Sequence, residues 1–303
     1  LGSSSKQWKE LRTKKVFINN IELMSAKFGG TGVDGALNIS SGTTTINLGG
    51  QRLVVKNYTS ISITGTGKLT FTNPHSNGTI IVLKSQGNVT LTSSTNPNID
   101  VSGLGGNSNT SGWGFVCGPS SESYGGYSAT FRGSEQSLMT PNPGVGTHIV
   151  PTIESLTIPV FCGAGGGSGV IGGGPGDPYG GRGGGGLYIE CGGDLNMTGN
   201  IWAKGQNGGT SSYPLDLYNA IAGSGGGGAE DGSCGQFTWR LIGYQTIGFG
   251  GGGGGCVYIL YRGTLVAASG TIDVSGGSGG SGAASGGSGG AGSYNIEKNQ
   301  YIN

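Results

Sequence analysis

The chain has 303 residues, of which 71 are glycine, 33% are hydrophobic and 10% are charged, with a formal net charge of +1. An ordinary globular domain carries clearly more apolar and charged residues, so a conventional thick core is excluded. A near-neutral chain has no long-range field to recruit a polyanion, and no stretch approaches the roughly 18 apolar residues of a membrane helix.

Residues 1–28 form an opening module. Lys6, Lys9, Arg12, Lys14, Lys15 and Lys27 make it locally basic. That reads as a solvated face, because nucleic-acid binding calls for a larger basic footprint with interleaved aromatics. Val16-Phe17-Ile18, Asn19-Asn20 and Ile21-Glu22-Leu23-Met24 predict a strand, a tight turn and a second strand. Trp8–Leu11 is a weak helix candidate; helical periodicity is absent elsewhere.

Residues 29–103 are strand-rich. Thr45–Leu48, Leu53–Val55, Ile61–Ile63, Leu69–Phe71, Ile80–Leu83, Val89–Leu91 and Ile99–Val101 recur at the short, even spacing of a β-helix or a sandwich.

Residues 104–303 hold most of the glycine. They also complete an internal repeat of three short strands. Ile81-Val82-Leu83, Val89-Thr90-Leu91 and Ile99-Asp100-Val101 correspond to Leu187-Tyr188-Ile189, Leu195-Asn196-Met197 and Ile201-Trp202-Ala203, and again to Val257-Tyr258-Ile259, Leu265-Val266-Ala267 and Ile272-Asp273-Val274. Such copies read as layers of one stack, each burying its apolar face on the next. Between them lie near-pure glycine runs at 163–174, 180–186, 223–228, 250–255 and 276–292. A run of this kind is either a flexible linker or an extended helix with three residues per turn and no internal hydrogen bonds. Free of side chains, several such helices can lie side by side and satisfy one another's N–H and C=O groups. Matched strand triplets flanking the runs favour the packed helices. The expected fold class is all-β: a short-strand β-helix or sandwich-like stack combined with packed polyglycine II helices.

Between the glycine runs lie aromatic-polar segments. Tyrosine and tryptophan offer rigid contact area at small entropic cost. The candidate binding residues are Trp113, Phe115, Tyr124, Tyr127 and Phe131 in a first insertion, and the short Asp177-Pro178-Tyr179 turn adds Tyr179 to the set. Tyr213 and Tyr218 lie in a second, and Phe237, Trp239, Arg240 and Tyr244 in a third. The competing reading is that each aromatic folds its own loop.

Catalytic and cofactor signals are missing. His75 and His148 have no ligand-type neighbours in sequence. Asp100 and Asp273 match in the repeat, but Ile201, flanked by Trp202, aligns there without an acid, which suits an outward strand position better than a carboxylate pair. Cys117, Cys162, Cys191, Cys234 and Cys256 fit neither a zinc pattern nor a dense disulfide framework. Buried thiols are the default, with one disulfide in the glycine-rich half left open. Gly-x-Gly-x-x-Gly strings carry no information in such a composition. No cofactor, metal or catalytic residue is expected.

The runs 180–186 and 250–255, separated by aromatic-polar segments, resemble the polyglycine sandwich of the adhesins that cap the long tail fibres of T-even phages. Trp8-Lys9-Glu10-Leu11 and Lys15-Val16-Phe17-Ile18-Asn19 resemble a short motif of phage tail and fibre proteins. The resemblance implies a virion-surface or extracellular adhesin and not an enzyme. Its aromatic loops would meet a host cell-surface protein or glycan, and residues 1–28 would join a fibre or virion protein. It implies no membrane insertion and no nucleic-acid partner. A homo-oligomer, a structural subunit of a virion, filament or matrix, and a polysaccharide-degrading spike stay open beside it.

Overall fold

The computed structural model describes residues 15–18, 21–25, 28–107, 170–171, 180–215, 220–221, 243–248, 250–281 and 286–299. Among these residues every regular element is a strand. The opening module contains the expected hairpin: β1 (Lys15–Ile18) pairs antiparallel with β2 (Ile21–Ser25) across Asn19-Asn20.

From residue 36 the chain winds through three sheets in turn, five times. The first turn is β3 (Ala36–Ile39), β4 (Thr43–Asn47) and β5 (Leu53–Tyr58). The second is β6 (Ser60–Ile63), β7 (Lys68–Thr72), the short β8 (Asn77–Gly78) and β9 (Ile80–Ser85). The third holds β10 (Val89–Leu91), β11 (Ile99–Asp100), β12 (Gly105–Gly106), β13 (Val170–Ile171) and β14 (Gly186–Cys191). The fourth runs through β15 (Leu195–Met197), β16 (Ile201–Trp202), β17 (Thr210–Leu215), β18 (Ala220–Ile221), β19 (Gly243–Gly248) and β20 (Cys256–Tyr261). The fifth is β21 (Leu265–Ala267), β22 (Ile272–Asp273) and β23 (Ser293–Lys298).

Each sheet takes one strand from each turn. The first is β3-β6-β10-β15-β21, the second β4-β7-β11-β16-β22 and the third β5-β9-β14-β20-β23. All these pairings are parallel. Parallel strands need a connection that returns to the starting edge, and here the other two sheets are that connection. Strands on both sides of residue 104 share all three sheets.

The repeat is the register. Leu187 stands between Ile81 and Val257, Ile189 between Leu83 and Ile259, and Ile201 between Ile99 and Ile272. Side chains alternate along a strand, so each inward position becomes a column down the axis. Ile61, Val89 and Leu195 form one, Leu69, Ile99 and Ile201 another, and Ile81, Leu187 and Val257 a third. All nine are fully buried or within 1% of it. At about 1.5–3 kcal/mol for each fully buried aliphatic side chain, this narrow core is the main apolar contribution to stability.

The turns use a ladder of amide and carboxylate side chains. Asn88 Oδ1 accepts the Asp194 N–H (2.9 Å), and Asp194 Oδ1 accepts the Thr264 N–H (2.7 Å). Asn200 does the same for Thr271 (2.8 Å), and Asn207 for Ser278 (2.9 Å). In each case a side chain caps the backbone of the next turn at the matching position.

The outward face of the third sheet is covered as well. Ile80 and Val82 are fully buried, and Tyr188 stacks on Tyr258 at 5.9 Å between centroids. Lys84 meets Glu190 there at 3.0 Å, with side chains only 4% and 9% exposed. The other Glu190 oxygen accepts the Gly29 N–H at 2.8 Å. This pins the segment that enters the coil against the outward face of the third sheet.

Candidate functional site

All the long excursions leave the coil at one corner, between the second sheet and the third. Residues 101–107 lead out and 180–186 return in the third turn. Residues 203–210 and 250–255 do so in the fourth, and 274–281 and 286–292 in the fifth. The roots of the excursions therefore lie side by side as six glycine-rich arms.

Their hydrogen bonds repeat every third residue. Gly181 and Gly184 donate to Gly250 and Gly253 (both 2.8 Å), while Gly251 and Gly254 donate to Gly287 and Gly290 (2.9 and 2.8 Å). Gly252 and Gly255 donate the other way, to Gln206 and Ala203 (2.9 and 2.7 Å). Gly205 and Gly208 reach Ser275 and Ser278, and Gly289 and Gly292 reach Gly277 and Val274. Gly277 donates to Gly252 (2.8 Å), so the arm 250–255 is bonded to four neighbouring arms.

The same period governs space. A Cβ added at Gly181, Gly184, Gly251, Gly252, Gly254 or Gly255 would collide with backbone atoms of an adjacent arm. None of these has the left-handed φ that turn glycines adopt. They are glycine for room, not for conformational freedom.

Of the sequence-predicted binding residues, Trp113, Phe115, Tyr124, Tyr127, Phe131, Tyr179, Tyr218, Phe237, Trp239 and Arg240 lie outside the described residues. Tyr213 and Tyr244 have described backbones, in β17 and β19. Those strands pair antiparallel, with Tyr213 beside Gln245 and Pro214 beside Tyr244. The segments read as second and third insertions are therefore two limbs of one excursion. A further short ladder ties this excursion to the first: Val170 pairs with Ile221, and Ile171 with Ala220.

At the base of the corner, Arg182 is the one charged side chain within the returning arm 180–186. Its Nη2 donates to the carbonyls of Gly105 (3.3 Å) and His75 (3.5 Å), and its Nε is buried without a partner. Burial lowers the guanidinium's pKa. It braces β12 against the loop that precedes β9.

Beside this corner, the outward face of the second sheet carries the exposed polar chemistry. Register sets Thr45, Thr70, Asp100, Trp202 and Asp273 in one column, about 4.8 Å apart. Lys68 pairs with Asp100 (3.0 Å), and Lys204 pairs with Asp273 (3.1 Å) while lying 4.5 Å from the Trp202 ring centroid. Partial burial pushes the Asp273 carboxyl up, but bonds from Ser275 and the charge of Lys204 outweigh it and hold it below the usual range. A general acid needs the opposite shift. Asp100 and Asp273 stand two strands apart, about 10 Å, with Trp202 between them. This column suits binding better than hydrolysis. Sequence reading matched Asp100 with Asp273 but set Ile201 between them, where the register sets Trp202.

Cys191 is a buried free thiol, and Cys256 is buried with its sulfur 3.5 Å from Ser293 Oγ. Burial raises the Cys191 pKa, and its sulfur lies 3.3 Å from the Asp194 carbonyl. Among the described residues no group of histidine, cysteine and carboxylate side chains could hold a metal, and no helix is long and apolar enough to cross a membrane. Comparison with protein-family models, with curated proteins and with solved structures finds no match.

Proposed function

We propose that this chain is a receptor-binding adhesin of a virion or fibre surface. In this reading it is a parallel β-helix, and the glycine arms at one corner are packed polyglycine II helices. The arms are the rigid base from which the aromatic segments 108–179 and 211–249 reach a host cell-surface protein or glycan. The observation that carries the reading is the convergence of the excursion roots on one corner, each arm bonded to its neighbours every third residue. A flexible tether would leave these backbone groups to water. A display base has to hold them, because recognition by loops gains affinity when their roots are fixed in advance. The joining of the first and second excursions through β13 and β18 adds to this by drawing two aromatic segments into one neighbourhood. The chain acts without a cofactor in this reading, and residues 1–28 are its attachment to a fibre or virion protein.

The test is binding of fluorescently labelled protein to a panel of bacterial strains. A companion protein would have 108–179 and 216–242 replaced by short Gly-Ser links. Saturable binding to some strains, lost in the companion while its circular dichroism stays β-rich, is the expected result. Binding that survives loss of both segments would move recognition to the coil, with the Trp202 column the first place to look. No binding across a broad panel would overturn the reading.

A further inference from the structure

Among the described residues, Lys84 and Glu190 are the only buried charged side chains. The ion pairs at Lys56, Lys68 and Lys204 all keep partial exposure. Taking two charges out of water is expensive, and apolar residues in their place are often as stable or more so. Packing alone therefore gives no reason for this pair on a face whose other covered positions, Ile80, Val82, Tyr188 and Tyr258, are aliphatic or aromatic.

The third member of their row is Asn57. Register sets Asn57, Lys84 and Glu190 side by side on β5, β9 and β14, about 4.8 Å from strand to strand. Lys84 stands in the middle, with its Nζ 3.0 Å from Glu190 Oε2. On its other side, a Cβ built on Gly30 would strike both the Asn57 carboxamide and Lys84 Cβ, so Gly30 sits over the gap between them. Residues 29–31 lid the whole row. The Gly29 N–H donates to Glu190 Oε1 (2.8 Å), the Thr31 N–H donates to Asn57 Oδ1 (3.3 Å), and Gln86 Nε2 donates to the Gly30 carbonyl (3.4 Å). Phe28, next to Gly29, is buried, as is Tyr188, two residues before Glu190 on the same face.

The row holds a nucleophile, a proton carrier and an acyl group. A lysine amine attacks in its neutral form, which a site shut off from water favours. Passing one proton from Lys84 to Glu190 along their contact removes both buried charges. The amine then has Asn57 Cγ as its neighbour. The carbonyl oxygen there already accepts the Thr31 N–H, the bond that would hold a developing oxyanion. Adjacent strands keep the two partners together, which replaces a bimolecular encounter.

We propose that Lys84 and Asn57 join in an isopeptide bond, with Glu190 as the general acid and base. Lys84 Nζ forms a bond to Asn57 Cγ and the Cγ–Nδ2 bond breaks. Nδ2 leaves as ammonia, taking a proton that Glu190 relays from the lysine nitrogen. Glu190 then gives its remaining proton to the ammonia and returns to the carboxylate. Nothing is oxidised or reduced, and the reaction runs once. It ties the first turn of the coil to the second across 27 positions, a loop that unfolding could then no longer open. It is independent of receptor binding, since the row lies on the third sheet and not in the excursions.

The test is intact-mass spectrometry of the whole folded chain under reducing conditions, followed by peptide mapping. A mass one ammonia below that of the sequence is expected, with the peptides of Asn57 and Lys84 recovered as one branched species. Asn57→Ala, Lys84→Met and Glu190→Gln should each show the full mass of their own sequence and keep a β-rich circular dichroism. If the two buried positions do not tolerate substitution, Asn57→Ala, on the half-buried edge strand β5, carries the comparison with the intact chain. The full sequence mass in the intact chain overturns the proposal. So does an ammonia loss that maps to Asn77-Gly78 or Asn207-Gly208, where a succinimide would lose the same mass, or a branched peptide that persists in Glu190→Gln.

Discussion

The flat sides of this coil and its glycine corner hold the same five turns in register by opposite means. On the sides, register comes from what side chains fill: Ile81, Leu187 and Val257 stack in a column with no exposed surface. At the corner, register comes from what side chains are excluded: Gly184 lies so close to Ala203 and Gly255 that a single methyl would strike backbone. The sides bury apolar area, and the corner buries mainly hydrogen-bonded peptide groups. A net hydrogen bond contributes about 0.5–1.5 kcal/mol, while an unsatisfied buried one costs about 1–3. The corner therefore gains little from each bond but tolerates no misplacement. That is a good property for a base from which loops must project at fixed positions, and a poor one for a core.

The largest expected effect lies on the sides. Leu187→Ala opens a cavity between Ile81 and Val257 in a column with no neighbouring side chain free to collapse into it. It should cost about 2–5 kcal/mol in chemical denaturation. A loss under about 1 kcal/mol would mean that the columns are loosely packed and the contrast is false. Gly184→Ala should come next, at about 1–3 kcal/mol from overpacking. Its effect should be local, with hydrogen exchange quickening at Gly254 and Gly255, whose N–H groups donate to Gly290 and Ala203, while β9 and β14 stay protected. Uniform quickening throughout would show that corner and sides unfold as one unit.

A third comparison separates the two uses of glycine in this chain. Gly42 has φ +67° and open space where a Cβ would stand, whereas Gly184 has an ordinary φ and no space. Asparagine visits the left-handed region far more readily than alanine. Gly42→Asn should therefore be nearly neutral and Gly42→Ala should cost about 1 kcal/mol. At Gly184 both should be destabilising, with asparagine the worse. Equal behaviour of Asn and Ala at both sites would remove the distinction.

These two uses also explain what could be read in the sequence. β-branched triplets announced most strands, and the three-copy repeat gave most of the register of the fourth and fifth turns, missing the shift that sets Asn196 beside Ala267 in place of Val266. β3 and β23 were not announced as strands. β3 contributes only Leu37 and Ile39, and β23 is mostly polar with one isoleucine. Both are end strands that need only one apolar neighbour. The glycine runs announced close packing but not which arm bonds to which, because a residue without a side chain carries no register signal. The Trp202 column was hidden for a different reason. Its successive members lie 25 to 102 positions apart and meet only once the turns are counted. Of the loop aromatics the fold shows the roots alone, and the joining of the Tyr213 and Tyr244 limbs was masked by Pro214, which argues against a strand in sequence.

The smallest effect should be seen in alkali, and it sharpens the comparison because, among the described residues, the phenols with raised pKa lie on the sides and not in the arms. Burial raises Tyr188 well above its ordinary value, with Glu190 and Tyr258 adding to it. Burial and the bond to Glu297 raise Tyr258, and burial with the charge of Asp34 raises Tyr58 to about 12. In the unfolded chain these phenols ionise near pH 10, while in the fold they stay protonated. Unfolding therefore releases protons above about pH 10, so the stability they supply is whole below that pH and falls as pH rises toward the folded values. The melting temperature should be level from pH 7 to 9 and decline beyond about pH 10. In the double variant Tyr188→Phe and Tyr258→Phe the decline should be shallower. Exchange in the strands β14 and β20 should quicken in alkali, relative to intrinsic rates, before exchange at Gly181, Gly184 and Gly254, whose arms contain no phenol. The reverse order would mean that the corner, not the side, is the weaker half of the coil.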